Sequence, residues 1–201
     1  MRHLIEKFRT SAGATAVAVL LIASVASGVN NFAIAAEGQL NFTLVAVDVA
    51  PTTDGTKPTL ILSGHGSFTP NSVDGRGIYL YADAATKTPK TILSTGTWEA
   101  TQVLRWVPAK GGATYGLVHP GVLDLRVDLI PEQGPVIKGA FLRINCNVGL
   151  AGIKNNDPDT GKPLAEGFWL TIPTSGFYGT TTAAGPFVPK DPILGVTEIS
   201  R

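Results

Sequence analysis

Cysteine is nearly absent from the chain: Cys146 is the only one in 201 residues. No intramolecular disulfide can form, so cohesion must come from packing. Histidine is almost as scarce. Of three, His3 lies in the N-terminal segment, which leaves His65 and His119. Without His3, one chain cannot build a three-histidine zinc site. His65, His119 and Cys146 together would suit zinc or copper, but no histidine follows Cys146 closely and the sole methionine is Met1. No metal site is expected. The G-x-S-x-G, H-E-x-x-H and P-loop motifs are missing too, so no catalytic residue and no cofactor is assigned.

Long apolar runs are missing, with one exception. "MRHLIEKFRT" carries Arg2, Lys7 and Arg9, and the uncharged run "SAGATAVAVLLIASVASG" follows. A basic stretch, an apolar stretch and small residues before Glu37 together read as a secretory signal. Ala33 and Ala35 best fit the cleavage positions, with Ala36 and Ser27 as neighbouring alternatives. The competing reading is an uncleaved anchor, since roughly 17–25 apolar residues span a bilayer. The run is rich in alanine, glycine and serine, which favours cleavage. The expected organisation is therefore a signal over 1–36 and one domain over 37–201, secreted, periplasmic or held at the cell surface.

Excess charge of either sign is lacking as well. Losing Arg2, Lys7 and Arg9 from 16 basic residues and Glu6 from 15 acidic ones leaves 13 against 14. No basic stripe survives, so no nucleic-acid partner is expected. No second run reaches membrane length, so no span is expected once the signal is gone. The sequence leaves an oligomer open.

What is present is alternation. "QLNFTLVAVDV" puts Leu40, Phe42, Leu44 and Ala46 on one face and Thr43, Val45, Val47 and Val49 on the other. "TLILSGHGSF" (59–68) and "GRGIYLYAD" (75–83) are strand-like and joined by a turn. "KTILSTGTWEATQVLRWVPA" (90–109) is one bent strand or two. "VLDLRVDLIP" (122–131) alternates leucine and valine with Asp124, Arg126 and Asp128, as if one face were wet. It forms a hairpin with "VIKGAFLRINCNVG" (136–149), whose Cys146 falls on the apolar face. "EGFWLTIP" (166–173) and "ILGVTEI" (193–199) complete the set, and 174–192 reads as a long connection.

No helical stripe is sustained. Glycine and proline supply about a fifth of residues 37–201, a density suited to short strands and turns. The expected fold is all-β: a single antiparallel β-barrel or β-sandwich of about eight to nine strands. Gly64, Gly66, Gly75, Gly77 and Gly139 favour a strongly curved sheet.

The candidate ligand-binding residues are Trp98, Trp169, Tyr79, Tyr81 and His65. Aromatics aligned on a sheet can stack on sugars or grip an apolar ligand, and in a closed barrel they would line the cavity. Each also has a plain reading as core. His65 shares its face with Ile61, Ser63 and Ser67, so "GHG" reads as a place where a strand bends. Glu99 reads as a solvated strand residue. "NNDPDTGKP" (155–163) spaces Asn155, Asp157 and Asp159 as a calcium loop might, but it fails the EF-hand register and favours a turn. The Asn41–Thr43 sequon falls inside a strand and is taken as chance.

Three functions follow as expectations. The first is a non-catalytic exported β-protein binding a small apolar or carbohydrate ligand or a surface component. The second is a small barrel enzyme, isomerase- or cyclase-like, with a polar group in an apolar cavity. The third is a structural subunit of a surface layer or filament.

Overall fold

A computed structural model describes residues 38–49, 59–82, 92–172, 188–189 and 196–201. The expected signal segment and most of the 174–192 connection lie outside the described residues. Among the described residues, one antiparallel sheet contains every strand: β1 (Leu40–Val49), β2 (Thr59–Thr69), β3 (Ser72–Ala82), β4 (Ile92–Pro108), β5 (Gly121–Pro131), β6 (Ile137–Cys146), β7 (Gly167–Thr171), β8 (Val188–Pro189) and β9 (Val196–Ser200). The order runs β7-β6-β5-β4-β3-β2-β1-β8, with β9 also on β1. The last strand therefore returns to the first. The sheet curls into a nearly closed barrel of eight full strands, with β8 a two-residue bridge. Of the two expected architectures, the barrel is the one formed.

Period-two alternation explains the two faces. Leu40, Phe42, Leu44 and Ala46 of β1 point inward and are buried, as do Leu123, Leu125, Val127 and Leu129 of β5. Leu142, Ile144 and Cys146 of β6, with Phe168 and Leu170 of β7, close the far side. Burying each such leucine or phenylalanine is worth about 1.5–3 kcal/mol, so alternation alone commits each strand to one face. The 90–109 segment is one strand, not two. It bends through register shifts between Ala100 and Gln102 and between Val103 and Arg105.

The strand glycines also make room for aromatic rings. Gly64 pairs with Gly77, and Gly66 with Gly75, across β2 and β3. A Cβ on Gly64 would lie 2.3 Å from Trp98 Cζ2, and one on Gly75 would lie 2.6 Å from Phe42 Cζ. The four glycines leave a side-chain-free slab on which two rings lie. Phe42 and Trp98 stack there, with centroids 6.4 Å apart and planes at 25°. Gly121 seats Trp106 in the same way. "GHG" is thus a ring seat with an outward histidine between its glycines. Gly139 differs: its φ of 72° and its N–H, donated to Asp128 Oδ1 at 2.8 Å, mark a bulge in β6.

Candidate functional site

The sequence-selected aromatics do not share a site. Trp98 is fully buried, and its indole N–H donates to the Ser63 carbonyl at 3.1 Å. Tyr79 and Tyr81 are also inside, and the Tyr79 hydroxyl meets Ser94 Oγ at 3.3 Å. These rings fill the barrel. His65 and Trp169 point outward, on β2 and β7 respectively. Cys146 faces the interior, so the conceivable His65–His119–Cys146 set is not assembled. Burial pushes its thiol up to about 12, the state of an inert small hydrophobe.

On the outer wall of β4–β7, cross-strand register aligns Arg105, Asp124, Arg143 and Trp169 in one row. The face expected to be wet is covered here: Asp124 is 1% exposed and Arg143 is 7% exposed. The connection from β6 to β7 lies over it and supplies Asp157 and Asp159. Arg143 Nε reaches Asp124 Oδ1 at 2.7 Å, and its Nη atoms reach Asp157 at 3.1 Å and Asp159 at 2.7 Å. Arg105 bridges Asp124 at 2.7 Å and Asp159 at 2.9 Å. The Asp124 bonds outweigh burial and hold the Arg143 guanidinium above its ordinary value. The "NNDPDTGKP" segment is a turn, as expected, closed by Gly161 N–H on the Asp157 carbonyl. Its carboxylates are taken up by arginines. The arrangement is a clasp that fixes a connection to the wall, and its donors and acceptors are spent on one another.

The wall of β1–β3 is the opposite case. Asn41, His65, Gly66, Ser67, Asp74 and Arg76 surround a concavity of about 240 Å³. Register places Asn41 beside Ser67, Ser67 beside Asp74, and His65 beside Arg76, with Glu99 next in the row. Among the described residues, no ion pair or side-chain hydrogen bond engages His65, Asp74, Arg76 or Glu99. Sequence reading selected His65 from this group and missed Asn41, Asp74 and Arg76. The alternation of "VDGRGIYLY", pairing outward Asp74 and Arg76 with inward glycines, is the signal that could have found them. A larger open cleft, about 480 Å³, lies where β4 begins, between Ile92–Thr95 and the turn at Glu132–Gly134.

No family model, curated protein or solved structure matches the chain.

Proposed function

We propose that this chain is an exported, non-catalytic β-barrel that binds a carbohydrate-bearing surface component through the outer-wall groove around His65 and Arg76. The observation that carries the reading is the contrast between an interior filled by rings and a groove lined by uncommitted polar groups. A carboxylate (Asp74), a guanidinium (Arg76), an amide (Asn41) and a hydroxyl (Ser67) offer both acceptors and donors to vicinal hydroxyl groups. Their opposite charges suit a neutral polyol better than a strongly charged ligand. No aromatic platform lies in the groove, so one sugar binds weakly and a repeating polymer gains by multivalency. The filled interior weighs against the enzyme reading, which needs an apolar cavity with a polar group in it.

Titrating the protein with neutral polysaccharides, uronic-acid polysaccharides and fatty acids in a calorimeter tests this. Binding of a neutral polysaccharide is expected, with affinity about 10–100-fold lower in Arg76→Ala and in Asp74→Ala. Both side chains are exposed, so the melting temperatures are expected to stay near that of the parent. Binding of fatty acid alone, or polysaccharide binding indifferent to both substitutions, would overturn the reading.

One observation favours the surface-layer reading. Val196, Val45 and Ile78 are 65%, 51% and 63% exposed on the outer wall of β9, β1 and β3. If copies assemble through this row, size-exclusion chromatography will show large species that Ile78→Lys disperses. A monomer peak for the parent protein counts against assembly.

A further inference from the structure

The barrel shuts on its last strand, and where β9 faces β6 that joint is built from side chains. β9 makes a ladder with β1, while on its other side, among the described residues, β6 shares no ladder with it and residues 117–119 meet it only through the isolated Val118–Ser200 bridge. Glu166, just before β7, spans the gap. Its Oε2 accepts the Asn147 N–H at 2.6 Å, and its Oε1 accepts the Thr197 N–H at 3.2 Å. The Thr197 hydroxyl sits between the Asn145 carbonyl, at 2.5 Å, and Glu166 Oε1. Beyond it, the Ile199 carbonyl accepts the His119 N–H at 2.7 Å.

Counting protons decides the state of this joint. The Thr197 hydroxyl has one hydrogen and faces two oxygens. The Asn145 carbonyl can only accept, and so can an ionised Glu166. Every contact is satisfied when Glu166 Oε1 carries a proton: it donates to Thr197 Oγ1, which donates to Asn145. We propose that Glu166 is a protonation-controlled latch whose neutral carboxyl bonds the C-terminal strand to β6 and whose ionisation loosens β9.

The surroundings agree. Burial pushes the Glu166 carboxyl up, against the pull of its bonds to Thr197 and Asn147. The Cys146 thiol on β6 senses both Glu166 and Glu198, and is itself neutral. Glu198 lies on the exposed face of β9. Among the described residues no cation pairs with Glu166. A carboxyl that titrates higher when folded than when unfolded lends stability in full below the ordinary glutamate range. That stability is lost as pH rises through the folded value.

Hydrogen exchange of the full chain, followed at the amides of Thr197 and Ile199 from about pH 4 to about pH 8, is the test. Intrinsic rates are corrected, and the β5 amides serve as reference. Protection of β9 is expected to fall by about tenfold or more across this range while β5 holds. In Glu166→Gln the β9 profile is expected to be flat with pH, whatever its level. A parent β9 profile parallel to that of β5, or an unchanged slope in Glu166→Gln, would overturn the latch.

Discussion

Trp98→Ala is expected to lower the unfolding free energy by about 3–5 kcal/mol, the cost of emptying a large ring from a packed interior. The upper part of that range applies here. Trp98 is 0% exposed and lies on Gly64 and Gly77, which have no side chains to close the hole. Its loss also removes the stack on Phe42 and the bond to the Ser63 carbonyl. For a domain whose whole stability is about 5–15 kcal/mol, that is a large share. Urea unfolding followed by circular dichroism measures it. The seat model adds a second expectation. Gly64→Ala places a methyl group where the Trp98 ring lies, so it should destabilise the parent markedly and the Trp98→Ala variant less. Some cost persists, because the new Cβ would also lie 2.6 Å from the Arg76 carbonyl. Strictly additive costs would show that ring and glycine do not compete for one space.

Arg143→Ala is expected to cost about 3 kcal/mol, near the lower end for breaking a buried ion pair. Asp124 stays buried and keeps only Arg105, while the Phe141 ring loses the guanidinium 5.4 Å from its centroid. Arg105→Ala should cost about 0–1 kcal/mol, because Arg105 is one-third exposed and water screens it. The connection over the wall reports on the clasp directly, since it carries one trypsin site, Lys154–Asn155; Lys162 precedes Pro163 and is not cut. Trypsin is expected to cut there far faster in Arg143→Ala than in the parent. Acid acts through the same contacts. Arg105 and Arg143 hold the Asp159 carboxyl well below the usual carboxylate range. Its contribution is therefore present above that range and lost only in stronger acid. In Arg143→Ala, acid unfolding followed by circular dichroism is expected to begin nearer the ordinary carboxylate value, about pH 4, than it does in the parent. Equal cutting of both proteins at neutral pH, or coincident acid transitions, would contradict the clasp.

Much of the barrel was legible because one face of each strand is apolar. Leu40, Phe42, Leu44 and Ala46, and the leucines of β5, read directly as inward positions. The outward faces were harder. Period-two patterning marks Asp124 and Arg143 as polar, but it does not say that a later connection will fold over them. That depends on Asp157 and Asp159, distant in sequence. The hairpin register did hold a clue, since the short "EQGP" turn sets Asp124 opposite Arg143. The aromatics misled for a related reason. Tyr81 is buried, and Trp98 and Tyr79 pack inside against glycines on neighbouring strands; such complementarity between strands leaves no mark on any single strand. Glu166 and Thr197 are 31 residues apart, and only closure of the barrel brings them together.

The glycine slab carries one more consequence. Ring and glycine interlock along the inner surface, so they set strand alignment from within, and the outward side chains at 41, 65, 67, 74 and 76 take no part in it. Those positions form a panel that can be rewritten without disturbing the frame behind it. A library randomised there should yield mostly folded members, from which new binding preferences could be selected on one unchanged scaffold.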